Sequence, residues 1–179
     1  TMTNVSDQPT EWCFWSRTLA RGGGICWAPL NPQSKFPRGY ARYVWKENRI
    51  ETENPGEPRI KKLGNMLTLQ AAGKESLKVG LDSDAGWMAY ATGRLLFVKR
   101  FRYFPQGEYT DALGFSVAVY LNDRMCELEP ISPKAALQPG ESYTFDEEWW
   151  LFDYPDAVEQ PFDHVGLGKF VESHTALSE

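Results

Sequence analysis

The sequence predicts an all-β protein that folds as an antiparallel β-sandwich. Short segments rich in β-branched and aromatic residues recur along the chain, and Gly, Pro, Asn and Asp separate them, which is typical of sandwiches. Two separators, 91–93 and 121–123, have the composition of hairpin turns, so their flanking strands should be antiparallel neighbours. In 114–121 every second residue is a large apolar one, which indicates a strand facing the core. These apolar residues are Phe115, Val117, Val119 and Leu121.

The strand-like segments can be justified in chain order. The first, 11–19, is aromatic-rich and follows a turn; 25–28 follows a triple glycine; 40–45 again combines aromatic and β-branched residues. The remaining segments share this short, apolar character. They are 66–70, 77–81, 87–91, 94–101, 114–121, 125–130 and 143–152.

Two parts of the chain do not read as strands. The polar stretch 47–63 contains Pro55-Gly56-Glu57-Pro58 and is predicted to be a long loop. Beyond Asp153 the chain is interrupted by prolines, and a short helix and an extended arm are both open there. We therefore expect one β-sandwich domain over residues 1–153 and a C-terminal tail over 154–179.

Composition argues against several classes of function. The 179 residues carry a net charge of −5 and lack long basic clusters, which disfavours binding to a nucleic-acid backbone. No apolar stretch approaches the ~20 residues of a membrane span, and the first residues do not resemble a signal peptide. A cytoplasmic location is favoured, although the chain is expected to lack an N-terminal part that would carry any export signal.

The few cysteines and histidines predict neither a disulfide framework nor a zinc site. Cys13, Cys26 and Cys126 form no CxxC pair, so we expect structural thiols. His164 and His174 are the only histidines in the sequence, too few for a closed zinc site. No metal or other cofactor is expected.

Two acidic residues alternate on a predicted strand. In 125–129, Glu127 and Glu129 fall on one face, and Cys126 and Leu128 on the other. Such a face is either a solvated surface or the wall of a polar cleft. The residues alone leave both interpretations open.

The segment around these acids resembles a known family. Leu128-Glu129-Pro130, a short connection and Pro139-Gly140-Glu141 are similar to the last part of galactose mutarotases and related aldose-1-epimerase-like proteins. The resemblance implies a supersandwich fold, a sugar-derived ligand and Glu129 as the catalytic base. More of the chain resembles a bacterial family of the same fold that has no assigned activity. The matching segments are 3–9, 22–24, 77–81, 86–90, 97–101, 109–111 and the segment that contains Glu129.

The chain departs from the mutarotase pattern where the family places its catalytic histidine. Residues 12–18 contain no histidine; Trp15 and Arg17 lie near its position, and arginine is a poor proton donor near neutral pH. Further ligand-binding candidates combine charge or hydrogen-bonding capacity with a strand or loop position. They are Glu127, Lys78, Lys99, Tyr109 and Asp111.

Aromatic side chains offer apolar surfaces for the C–H face of a sugar, but in a small sandwich most aromatics belong to the core. The tryptophans considered as sugar platforms are Trp12, Trp15, Trp27, Trp45 and Trp87. Trp149 and Trp150 are neighbours on a predicted strand and must point to opposite faces, so at least one is expected to be structural.

Three functions remain open on the sequence. The first is a carbohydrate-binding domain without ordinary mutarotase activity. The second is an active carbohydrate isomerase or lyase that uses Glu129 with a non-histidine acid such as Tyr109 or Lys99. The third is a structural or interaction domain without a ligand. If N-terminal strands are missing, an unpaired sheet edge should favour a homodimer.

Overall fold

The computed structural model describes residues 1–154 and 164–175, which form sixteen strands, one α-helix and one short 3-10 helix. The first eight strands are β1 (Met2–Thr3), β2 (Thr10–Trp12), β3 (Thr18–Arg21), β4 (Ile25–Pro29), β5 (Ala41–Val44), β6 (Arg49–Glu51), β7 (Ile60–Leu63) and β8 (Met66–Gln70). The remaining strands are β9 (Leu77–Leu81), β10 (Trp87–Thr92), β11 (Leu95–Phe101), β12 (Val117–Leu121), β13 (Met125–Pro130), β14 (Ala135–Leu137), β15 (Ser142–Tyr143) and β16 (Glu147–Asp153). Helix α1 spans His164–His174, and the 3-10 helix spans Trp45–Glu47.

Two six-stranded antiparallel sheets face each other. Sheet I has the order β16-β11-β10-β4-β8-β7, and sheet II has the order β3-β13-β12-β9-β5-β6. Side chains from the facing sides of both sheets form the largest apolar cluster, for example Met88 of sheet I with Val119 and Leu128 of sheet II. The predicted antiparallel β-sandwich is thus confirmed.

The hairpin predictions also hold. Strands β10 and β11 pair from Thr92 and Leu95 onward, and β12 and β13 pair from Leu121 and Cys126 onward. The predicted split of the tryptophan pair is present as well, because Trp150 packs into a cluster on sheet I while Trp149 is exposed.

Four expectations were wrong in detail. The predicted loop 47–63 contains β6 and β7, whose backbones pair with β5 and β8 despite their polar sequences. The predicted strand 11–19 is broken into β2 and β3, and the predicted strand 143–152 is broken into β15 and β16. Phe115 precedes β12 and packs with Ala118, on the side of sheet II opposite to Val117.

Helix α1 covers the outer face of sheet I. Its Leu167 and Val171 are buried in one cluster with Trp87, Leu96 and Val98. In the predicted tail, residues 164–174 thus form a helix, while 155–163 and 176–179 lie outside the described residues. Within residues 1–154 and 164–175, we find no helix with the length and apolar character that a membrane span requires.

Candidate functional site

The outer face of sheet II, which points away from sheet I, carries two rows of side chains. One row runs from Glu129 on β13 across Ala118 and Gly80 to Ala41. The adjacent row runs from Leu19 across Glu127 and Tyr120 to Lys78. The predicted alternation of Glu127 and Glu129 with core residues therefore places both carboxylates on one face.

Glu129 is a fully buried carboxylate at the centre of the candidate site. Its Oε2 accepts hydrogen bonds from the indole Nε1 of Trp15 at 2.6 Å and from Nζ of Lys78 at 3.1 Å. Its Oε1 is buried and has no hydrogen-bond partner among the described residues. Burial raises the pKa of the Glu129 carboxyl above its usual value, and the ammonium of Lys78 opposes this increase.

Small residues allow Lys78 to reach Glu129. The two side chains start on β9 and β13, and β12 lies between them with Ala118 and Tyr120 on the outer face. Tyr120 bonds Ser76 through its hydroxyl, and the methyl group of Ala118 leaves the diagonal path open. The ion pair thus spans strand β12.

Aromatic rings border the ammonium group of Lys78. Its Nζ lies 4.4 Å from the ring centroid of Trp15 and 5.4 Å from that of Tyr43. Both distances are within the range of cation–π attraction. Burial raises the pKa of Tyr43 to about 12, and the negative charges of Asp111 and Glu129 add to the increase, so its hydroxyl stays protonated and available as a donor.

Trp15 covers Glu129 from the solvent side. Its segment is fixed to β13 by a bridge to Ile131 and by the bond from Ser16 N–H to the carbonyl of Pro130. Trp15 as a whole residue is 47% exposed. The guanidinium of Arg17 lies 5.2 Å from this ring and 3.8 Å from the carboxylate of Glu127.

Asp111 contributes a third acid near this cluster. Its half-buried carboxyl has a pKa raised by burial and held down by the charge of Lys78. The structure therefore brings most of the candidates predicted from the sequence to one place. These residues are Glu129, Glu127, Lys78, Trp15, Arg17 and Asp111.

Two predicted ligand-binding residues lie apart from Glu129. Lys99 is fully buried on β11, where it bonds Glu147 at 3.0 Å and Thr18 at 2.9 Å; burial lowers its pKa, and Glu147 opposes this. Tyr109 stacks on Tyr103 and accepts a hydrogen bond from the backbone N–H of Phe104. Among the described residues, neither side chain forms a hydrogen bond or ion pair with the Glu129 carboxylate.

Two of the five candidate sugar-platform tryptophans are buried, and three are exposed. Trp27 and Trp87 are 1% and 2% exposed and belong to the core, whereas Trp12, Trp15 and Trp45 are exposed. Tyr43, which the sequence reasoning missed, borders Lys78. The alternation along β5, which puts Ala41 and Tyr43 on the same face, was the signal that could have identified it.

Within the described part of the chain, no group of three or more His, Cys, Asp or Glu side chains is arranged to hold a metal ion. The three cysteines are free. Comparison of the chain with protein-family models, with curated proteins and with solved structures finds no match.

Proposed function

We propose that this chain is a carbohydrate-binding domain with a mutarotase-like fold, and that its ligand binds on the outer face of sheet II. The observation that carries the proposal is the buried Oε1 of Glu129, which lacks a partner beneath the exposed ring of Trp15. A buried acceptor without a hydrogen bond costs about 1–3 kcal/mol. A sugar hydroxyl is a donor that would remove this cost.

The position of Trp15 defines how a sugar would reach the carboxylate. Because Glu129 has no exposed surface, the indole must shift before a hydroxyl can bond to the acid. Trp15 lies between β2 and β3 and is half exposed; when its ring tilts, the hydrogen bond from Nε1 to Oε2 of Glu129 breaks, and the sugar hydroxyl replaces the lost donor. The indole then offers its apolar face to the C–H groups of the same sugar.

Neighbouring groups suit a polyhydroxylated ligand better than a purely apolar one. Lys78 and the Tyr43 hydroxyl supply donors, while Glu127 and Asp111 supply acceptors. Donors and acceptors beside an aromatic surface are the combination that sugar recognition needs.

The first prediction concerns binding. Glu129→Gln is expected to weaken the binding of the sugar that wild type binds best by about 1.5–3 kcal/mol, because the charge-assisted bond to the hydroxyl is lost. Isothermal titration calorimetry measures this difference. The matched control is Glu147→Gln, since Glu147 is also paired with a buried lysine and also has a buried oxygen without a partner. Equal affinities in wild type and both variants would place the ligand elsewhere.

The second prediction concerns catalysis. We expect no appreciable aldose mutarotase activity, because mutarotation needs a base and a matched acid at the substrate, and residues 12–18 contain no histidine. Polarimetry of freshly dissolved glucose and galactose should give the rate of buffer alone. Clear catalysis that disappears in Glu129→Gln would contradict the prediction.

An isomerase or lyase is the second candidate function, and one observation favours it. The raised pKa of Glu129 suits a general base, and of the two groups that donate hydrogen bonds to this carboxylate, the indole of Trp15 and the ammonium of Lys78, only the ammonium can act as an acid. This assigns the role of acid to Lys78 in place of Tyr109 or Lys99. Turnover of a sugar acid or ketose that is lost in both Glu129→Gln and Lys78→Met would support this candidate.

A further inference from the structure

A second exposed aromatic ring continues the line of the candidate site. Trp45 stacks on Tyr43 with a centroid distance of 5.4 Å and an interplanar angle of 26°. Tyr43 in turn borders the ammonium of Lys78, which also lies close to the ring of Trp15. A chain of contacts therefore links Trp15, Lys78, Tyr43 and Trp45.

Trp45 is held in place although it is 55% exposed. It opens the 3-10 helix Trp45–Glu47, which ends at Asn48 in the left-handed conformation with φ of 47°. The N–H of Asn48 bonds the carbonyl of Trp45, and Arg49 pairs with the carboxylate of Glu47. A ring fixed before binding loses little conformational entropy when a ligand stacks on it.

One side of the Trp45 ring packs on Tyr43, so the opposite side faces solvent. A single exposed tryptophan needs no explanation. A ring that opens a short turn and is linked through Tyr43 and Lys78 to a second exposed tryptophan is a more specific arrangement, because it offers a further aromatic surface beside the candidate site.

The geometry points to a second saccharide subsite on Trp45, and thus to an oligosaccharide of at least two sugar units as the ligand of this domain. One unit lies against Trp15 and Lys78, and a following unit stacks on the exposed face of Trp45. This inference rests on the proposed carbohydrate-binding function and names its substrate class.

The test measures how affinity depends on glycan length. Wild type is applied to an array of mono- to hexasaccharides of neutral, amino and acidic sugars, and the best-bound series is then titrated by calorimetry. We expect at least roughly tenfold tighter binding of the di- or trisaccharide than of the monosaccharide. Trp45→Ala should remove this gain and leave monosaccharide affinity unchanged.

Two control variants distinguish the loss of the aromatic ring at position 45 from a general loss of structure. Trp45→Phe keeps an aromatic surface and should retain most of the gain. Trp12→Ala removes an equally exposed tryptophan on the β2–β14 ribbon and should change nothing. Equal affinities for short and long glycans, unaffected by Trp45→Ala, would overturn the second subsite and leave the proposed function intact. Failure of every glycan to bind would overturn both.

Discussion

Lys78→Met is expected to destabilise the protein by about 3–5 kcal/mol at neutral pH, because it leaves the carboxylate of Glu129 buried without its cation. Glu129 has no exposed surface, and the side chain of Lys78 is only 10% exposed. Urea unfolding, followed by circular dichroism, measures the loss. The double variant Lys78→Met/Glu129→Gln should recover most of it, because no unpaired charge then remains.

The loss should depend on pH in a defined direction. Lys78 holds the pKa of Glu129 down, so its removal raises that pKa further above the value of the unfolded chain. When the pKa of a carboxyl is higher in the folded than in the unfolded chain, the free energy of unfolding falls as the pH rises from the unfolded pKa to the folded pKa. The difference in the free energy of unfolding between wild type and Lys78→Met should therefore become smaller as the pH falls toward 4.5, the ordinary pKa of glutamate.

The exposed pair of Arg94 and Asp153 provides the control. Its side chains are 68% and 66% exposed, and such pairs contribute about 0–1 kcal/mol. Arg94→Met should accordingly change the free energy of unfolding only slightly. If Lys78→Met is no more damaging than Arg94→Met at neutral pH, the Lys78–Glu129 pair does not have the buried character described here.

Gly24→Ala is expected to destabilise the protein by about 3 kcal/mol or more, through steric overlap at the crossing from sheet II to sheet I. A Cβ atom at position 24 would lie far inside van der Waals contact with the backbone oxygen of Ala91, and 2.7 Å from the Tyr90 hydroxyl. That hydroxyl accepts a hydrogen bond from the N–H of Gly24 and donates one to the carbonyl of Arg21. The substitution therefore disturbs a buried polar junction as well as the packing.

Thermal unfolding of Gly24→Ala beside Gly56→Ala tests this expectation. Gly56 lies in a loop where the nearest atom to an added Cβ is 4.0 Å away, so its substitution should be close to neutral. Similar melting temperatures for the two variants would show that the junction tolerates a methyl group.

The main features of the fold were predictable because they depend on local pattern. Alternation placed Glu127 and Glu129 together, and turn composition located the hairpins after Thr92 and Leu121. Strands β6 and β7 were missed because their pairing comes from the neighbouring backbones, which a polar sequence does not reveal.

The candidate site was predictable only in part. The alternation of β13 pointed to Glu129, but the cover provided by Trp15 and the path over Ala118 depend on contacts between distant segments. Lys99 was assigned to the ligand site from its position on a predicted strand. Its sequence context does not predict that its ammonium pairs with Glu147 between the sheets. Such pairings depend on which sheet each strand joins, and sequence periodicity does not contain that information.

The hydrogen bonds around Glu129 also join segments far apart in the sequence. Trp15 is 114 residues from Glu129, and Lys78 is 51 residues from it. Contacts of this length close long loops at a cost in chain entropy, so the candidate site requires these distant segments to be assembled. An occupant that binds only the assembled site stabilises the whole sandwich in proportion to the logarithm of its concentration. A ligand of the proposed site should therefore raise the melting temperature of the protein, and this rise can be measured before the chemistry of the ligand is known.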